Sequence, residues 1–227
     1  MNWEALGISL ELAALTSLTL AVIAIPLGYW LAFSRFRFKF LIEAVVALPL
    51  VLPPTVLGFY VLVALGARSP IGQWYETWTG HGLAFTFEGL VIASTLYSLP
   101  FAVQPVAAAF GAVDRRLIEA SWTLGVSRSG TFWRVIAPQS WAGLVTGAVL
   151  SFAHTLGEFG VVLMVGGNIP GVTRTLSIAI YDDVQSLNYA GAAVTSAALL
   201  AISFSILAVV YAVNQRRRWT KPLANPW

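Results

Sequence analysis

The chain has 227 residues, of which 58% are apolar and only 10% charged, and its mean hydropathy is +0.77. Soluble domains carry about 25% charged residues, so this composition cannot clothe a water-soluble fold of this size. The net charge of +3 and pI near 9.4 follow from cations gathered at one membrane face and imply no nucleic-acid partner.

Charge-free runs cover residues 12–34, 44–67, 89–113, 135–157 and 184–215. Each reaches the roughly 20 residues that an α-helix needs to cross the hydrocarbon core. They predict an all-α polytopic membrane protein, a single transmembrane domain over residues 1–227, with five transmembrane helices near 10–34, 43–66, 88–112, 138–165 and 189–214. A transmembrane barrel would show short alternating segments, whereas the run from Leu18 to Ile25 is apolar all round. The first run has no basic stretch before it and no small-residue cleavage site after it, so it is expected to remain in the mature protein.

Lys and Arg set the orientation. With five spans, one side receives Arg35, Arg37, Lys39, Arg115, Arg116, Arg128, Arg134, Arg216, Arg217, Arg218 and Lys221; the other receives only Arg68 and Arg174. The richer side is expected to be cytoplasmic, with the N-terminus outside and the C-terminus inside. Trp74, Tyr75 and Trp78 in the first external loop, and Trp133, Trp141 and Trp219 on the inner side, suit the headgroup zones.

In the second run Pro49, Pro53 and Pro54 remove backbone donors, as do Pro100 and Pro105 in the third. Such breaks survive at membrane depth only where protein or a water-filled cavity satisfies the freed carbonyls. Residues 48–55 are read as a kinked segment lining a pathway, the alternative being a bent structural helix. Gly58 and Gly66 allow a neighbour close approach.

Residues 113–137 are too polar to span and too apolar for a solvated linker. They predict one or two short helices lying against a partner, with Gly125 at the turn between them and Pro138 in the first turn of the next span. A lipid-surface helix would want an uninterrupted basic face, which Asp114 and Glu119 spoil.

The fourth run places Gly143, Gly147, Ser151, His154 and Glu158 at helical spacing, predicting one shared face. The small residues read as a packing seam. Glu158 reads either as a functional acid with His154 one turn earlier or as a group bonded to backbone amides at a break beside Gly157 and Gly160. No Lys or Arg occurs from residue 135 to 173, so an anion passing here would meet hydroxyls, dipoles and imidazole, and an ionised Glu158 on its path would repel it. Under an oxyanion reading Glu158 is therefore expected to be protonated, paired or turned away.

The chain has no cysteine, and His81 and His154 are too far apart for an ordinary metal site, so no metal is expected. No P-loop or nucleophile elbow occurs. No catalytic residue or cofactor is expected, and any ATP would be used by another chain. The rival is an intramembrane enzyme built on Ser151, His154 and Glu158 or a stand-alone channel; neither explains the polar loop.

Glu119-Ala120-Ser121, three residues, Gly125, nine residues, then Val135-Ile136-Ala137-Pro138 resembles the cytoplasmic Glu-Ala-Ala loop of ABC importer permeases. The likeness runs from about Thr16 to Arg218, with Ser121, Val135 and Ala137 departing from the pattern. It implies a type I importer permease in the inner membrane, whose residues 113–137 form the loop that couples to the ATPase. Within that family, Leu48 to Pro54, Ser98 to Phe101, Arg116 to Glu119, Thr123 to Gly125, Leu156 to Gly160 and Asn168 to Thr175 resemble the molybdate permeases. Tungstate would be a near-isosteric substrate, and sulfate or thiosulfate permeases are the alternative, separated mainly by the tract after Pro170. The resemblance implies a homodimer, an ATPase dimer on the cytoplasmic face, and an extracytoplasmic oxyanion-binding protein docking around residues 67–87 and 166–189. Asp182 and Asp183 would meet that protein or solvent, and Arg174 would meet the anion or pair with those acids.

Overall fold

A computed structural model describes residues 2–219, with side chains considered to residue 212. Lys221 and the side chains of Arg216, Arg217, Arg218 and Trp219 lie outside this description.

Helix α1, Trp3–Phe33, is capped by Asn2, whose side chain accepts the Ala5 amide at 3.0 Å. That cap starts the helix well before the expected position near residue 10, and Pro26 lies inside it. Helix α2, Lys39–Ala47, runs into a 3₁₀ turn at Leu48–Leu50, and α3, Pro54–Leu65, then departs at 109°. The span expected at 43–66 is thus two arms of a sharp bend. Pro53 and Pro54 withhold two successive amide donors, and the residue preceding a proline is steered from helical angles.

Helix α4, Pro70–Thr79, is capped by Ser69 and stopped by Gly80 at φ 79°. Helix α5, Phe87–Gly111, starts on the Thr86 cap and carries Pro100 and Pro105 internally. Helices α6, Arg115–Thr123, and α7, Arg128–Thr131, lead through a π-helical turn at Phe132–Ile136 into the short α8, Ala137–Gln139. After a 71° bend follows α9, Trp141–Gly157. Helix α10, Gly160–Gly166, completes the fourth segment, α11 is Leu176–Gln185, and α12 is Tyr189–Trp219. The span expected over 138–165 is interrupted at Ser140 and again at Glu158, the second at the break that Gly157 and Gly160 offered as one reading. Three helices, α1, α5 and the Tyr189–Ala212 part of α12, are long and apolar enough to cross a bilayer alone, and counting each bent pair as one span gives five.

Helices α1, α5 and α9 pack mutually to form the centre, while α3 lies against α10 and α12 stands at the periphery on α9 and α11. The core contains Leu20, Ala24, Val103, Val106 and Phe110, joined from the cytoplasmic segment by Ile118 and Ile136. Only 6% of the apolar stretch of α12 is buried, leaving the rest for lipid or a second chain.

Missing side chains set the spacing at the centre. A Cβ on Gly147 would lie 2.8 Å from the Ala102 carbonyl oxygen, and one on Gly143 would overlap the Ala109 side chain and come within 2.9 Å of the Pro105 oxygen. These two residues form a packing seam on α5. Gly143→Ala is expected to cost about 1–3 kcal/mol through overpacking. Gly157→Ala adds its Cβ where no atom lies within 4 Å, so thermal unfolding in detergent should show a lowered midpoint for the first variant and little change for the second.

Candidate functional site

Two regions combine polar chemistry with unusual backbone: the breaks within the apolar segments and the polar elbow of residues 113–137. At the first, the start of α3 meets the start of α10. A Cβ on Gly160 would lie 2.6 Å from Pro54 Cβ, and one on Gly58 would lie 2.8 Å from Met164 Cβ and 3.3 Å from Val161 Cα. Pro54 and Gly58 thus face the beginning of α10, while Pro49 is buried in the turn before them and Pro53 caps α3 in extended conformation.

Glu158 is 8% exposed and lies beyond the last residue of α9, in extended conformation. Its Oε1 accepts the Val161 amide at 2.8 Å, with the Phe159 and Gly160 amides also turned toward the carboxylate. Because the helix stops at Gly157, Glu158 does not continue the face of Gly143, Gly147, Ser151 and His154 as the spacing predicted. Its role is to receive amide donors that the break leaves open.

His154 points to α5 instead. Its Nδ1 and Ser98 Oγ share a hydrogen bond at 2.9 Å, and Ser98 Oγ also lies 3.0 Å from Thr155 Oγ1. The imidazole stacks on Phe101 with centroids 4.0 Å apart, and Tyr97 flanks it at 5.0 Å. Among the described residues no ion pair joins His154 to Glu158. Ser151 is fully buried and donates to the Ala148 carbonyl at 2.9 Å, with Ser17 of α1 at 3.4 Å. The acid, base and nucleophile of the enzyme reading are therefore dispersed. The sequence marked Ser98 only as part of the Ser98–Phe101 tract and gave no sign of Thr155 as its partner.

The loop between α10 and α11, with the start of α11, is bonded internally. Arg174 Nε donates to Asn168 Oδ1 at 2.6 Å, Asn168 Nδ2 donates to both Asp182 oxygens at 2.9 and 2.7 Å, and Arg174 lies 3.6 Å from Asp182. Thr173 Oγ1, buried, donates to the Gly166 carbonyl at 2.7 Å and accepts the Ile169 amide. Asp183 accepts from Asn188.

In the elbow, Asp114 caps α6 by accepting the Arg116 amide at 2.9 Å. Gly125 adopts φ 76°, and the Val126 amide donates to the Ser121 carbonyl at 3.0 Å, closing the turn that separates α6 from α7. Of the motif residues, Glu119, Ala120, Gly125 and Pro138 are exposed while Ser121 is buried. Ser121 Oγ donates to the Ile118 carbonyl at 2.8 Å and sits 2.7 Å from Thr131 Oγ1, which in turn reaches the Ser127 carbonyl at 3.1 Å. Ile118 enters the core beside Phe110 and Ile136. One side of α6 is thus fastened to the membrane domain, and the other presents Leu117, Trp122 and the following Leu124, the last 82% exposed.

The family described as "binding-protein-dependent transport system inner membrane component" matches residues 24–219. The chain belongs to that family. It is 50% identical over 207 residues to "Molybdenum transport system permease protein ModB" of Azotobacter vinelandii, covering 91% of this chain and 92% of that one. A protein of the same description from Escherichia coli strain K12 is 37% identical, covering 82% and 81%. A "probable sulfate transport system permease protein" of Zygnema circumcarinatum is 31% identical, covering 91% of this chain and 71% of that one. The fold matches the methionine ABC transporter MetNI in inward-facing form, with TM-score 0.71, 17% identity and coverage of 93% and 94%. It also matches a bacterial alginate ABC transporter solved with its ligand-bound periplasmic protein, with TM-score 0.75, 16% identity and coverage of 96% and 79%. The permease is a multi-pass inner-membrane protein of the type I importer fold.

Three substitutions probe these sites. Glu158→Gln keeps an acceptor at Oε1 and should retain solute uptake within about threefold, whereas Glu158→Leu leaves the amides unanswered and should cost about 1 kcal/mol or more in stability. Uptake abolished in a well-expressed Gln variant would show that the charge itself is required. Ser121→Ala removes one buried hydroxyl bond worth about 1 kcal/mol, so amide exchange through Leu124, Gly125 and Val126 should accelerate about fivefold by mass spectrometry.

Proposed function

We propose that this chain is the pore-forming subunit of an ATP-driven importer that carries molybdate, with tungstate as a near-isosteric second substrate. The extent of likeness to the molybdenum permease of Azotobacter vinelandii, 50% over nine-tenths of both chains, carries the substrate assignment. The 31% likeness to a sulfate permease keeps sulfate as the second reading. The chain acts as a homodimer, holds no cofactor of its own, and leaves ATP to a separate ATPase dimer.

The elbow supports the coupling. An ATPase groove would seat the exposed Leu117, Trp122 and Leu124, with Glu119 and Ala120 beside them. Because Ile118 seats α6 in the core and the Ser121–Thr131 pair locks α6 to α7, displacement of α6 passes into α5 and α9 instead of being lost in a loose loop. ATP-driven closure of the ATPase dimer would then open the pathway outward, and hydrolysis would reset it.

Orientation follows the cation count, N-terminus outside and C-terminus inside. Loaded binding protein would dock over residues 67–87 and 166–189. The first is joined to the residue just before the second by the Phe85 amide donating to the Val165 carbonyl at 2.9 Å, and the Arg174–Asn168–Asp182 set cross-links the second. With Arg174 committed to Asp182 and Asn168, selection of the anion falls to the binding protein, and the permease supplies a weakly binding conduit.

Co-purification tests the assembly, and uptake tests the cargo. Tagged permease should bring down an ATPase subunit. Vesicles containing the assembly and its binding protein should take up labelled molybdate with ATP, resist a hundredfold excess of sulfate, and lose transport in Gly125→Val, where a β-branched residue meets a φ of 76°. Uptake by the permease alone without an ATPase would overturn the reading; competition by equimolar sulfate would move the assignment to the sulfate branch.

A further inference from the structure

Between α1 and α2 the chain reads Ser34-Arg35-Phe36-Arg37-Phe38-Lys39-Phe40, alternating cation and phenyl ring, and coupling makes no use of most of it. The rings form a ladder: Trp30 to Phe36 at 6.2 Å, Phe36 to Phe38 at 5.7 Å and Phe38 to Phe40 at 6.5 Å. Phe36, Phe38 and Phe40 are 51%, 44% and 58% exposed. Three neighbouring phenyl rings left in water would forfeit the favourable transfer of their apolar surface, whereas at the headgroup boundary they bury it.

The cations have matching freedom. Arg37 lies 4.7 Å from the Phe38 ring centroid and is in no ion pair among the described residues. Lys39 has only an i,i+4 pair with the half-exposed Glu43 at 3.3 Å, the kind of surface pair that contributes little and exchanges readily. Arg35 borders a separate hollow beside Arg115, Glu119 and Trp122, on the elbow side.

Next to this ladder is a groove of about 400 Å³ between the ends of α1, α2 and α5. Leu31, Val46, Val103 and Ala107 give it apolar walls, and Lys39, Gln104 and the Glu43 carboxylate paired with Lys39 give it polar ones. Gln104 is exposed within the otherwise apolar α5, immediately before Pro105. An apolar trough at membrane depth, a cation where α2 begins and a ring ladder at the interface match three parts of one molecule: acyl chain, phosphate and glycerol backbone.

We infer that this groove and the Arg37–Lys39 segment form a binding site for an anionic phospholipid of the cytoplasmic leaflet, with the acyl chain between α1, α2 and α5 and the phosphate at Arg37 and Lys39. The inference rests on the membrane placement of α1 and α5 proposed above. It does not involve ATP or the transported solute, so it can fail while the transport reading stands.

The test is native mass spectrometry of the full-length chain in micelles holding equal mole fractions of dioleoyl phosphatidylglycerol and dioleoyl phosphatidylcholine. The expected result is at least about fivefold greater retention of phosphatidylglycerol, the factor that a single cation near an anionic surface provides. Arg37→Gln with Lys39→Gln should bring retention down to the phosphatidylcholine level. Ala108→Leu, which fills the groove from an exposed wall position and leaves every charge in place, should lower phosphatidylglycerol retention by a similar factor. If the double variant elutes as aggregate, Arg37→Gln alone and Ala108→Leu supply the comparison. Equal retention of the two lipids by the parent chain, the result expected if a second permease chain covers the groove, overturns the inference, as does undiminished preference in the folded variants.

Discussion

Hydrocarbon offers a peptide group no hydrogen-bond partner, so any backbone N–H or C=O at membrane depth must be answered by the protein itself. Helices α1, α5 and α12 meet most of that demand with their own ladders, Pro26 in α1 and Pro100 and Pro105 in α5 each withholding one donor. The other two segments cannot, because Pro49, Pro53 and Pro54 withhold donors in one and the helix stops at Gly157 in the other. The protein places the two interruptions together: Pro54 faces Gly160, Gly58 faces Val161, and Glu158 receives the Val161 amide. Broken backbone is thereby surrounded by protein, and the glycines are small because broken segments must approach each other closely.

The same arrangement suggests how a pull on the cytoplasmic side reaches the membrane centre. Ile118 of α6 and Ile136 of the π-helical turn share the core with Phe110, Val106 and Val103 of α5. Tyr29 of α1 and Phe132 stand with centroids 5.7 Å apart, and Phe132 and Phe110 at 5.9 Å. Higher on α5, Ser98 and Phe101 hold His154 of α9. Close-packed contacts of this kind transmit displacement because they are nearly incompressible. On the proposed coupling, α5 is the lever, Gly143 and Gly147 are where α9 rides on it, and the paired breaks beyond His154 are the compliant point.

Much of this was legible in the sequence, for identifiable reasons. Charge-free length is a direct reading of bilayer thickness, and Gly125 could be placed at a turn because a tight reversal between two helices favours a positive φ. What escaped depended on distance along the chain. Periodicity put Glu158 on the face of His154, but helical spacing has no meaning past a helix end, and that end is fixed by α3 packing at Gly160. Prolines foretold a kink at residues 48–55; the 109° turn is a property of the packed segments. Ser121 read as a small departure from the motif's pattern. Its burial comes from Thr131, ten residues away, and the departure from alanine becomes intelligible only when the two hydroxyls are seen 2.7 Å apart.

The distribution of cations bears on what the permease can select. Residues 135–173 contain no Lys or Arg, and Arg174, the first one after them, is held by Asn168 and Asp182. A tetrahedral dianion entering here would find hydroxyls and ring dipoles, which stabilise it less than an unpaired guanidinium would. Weak binding lets the solute leave as easily as it enters, but it cannot separate two oxyanions of equal charge and similar shape. On the proposed assembly, discrimination would then fall to the binding protein, before entry. The internally bonded loop from Gly166 to Asp182 suits that proposed division of labour, because its charges are spent on one another.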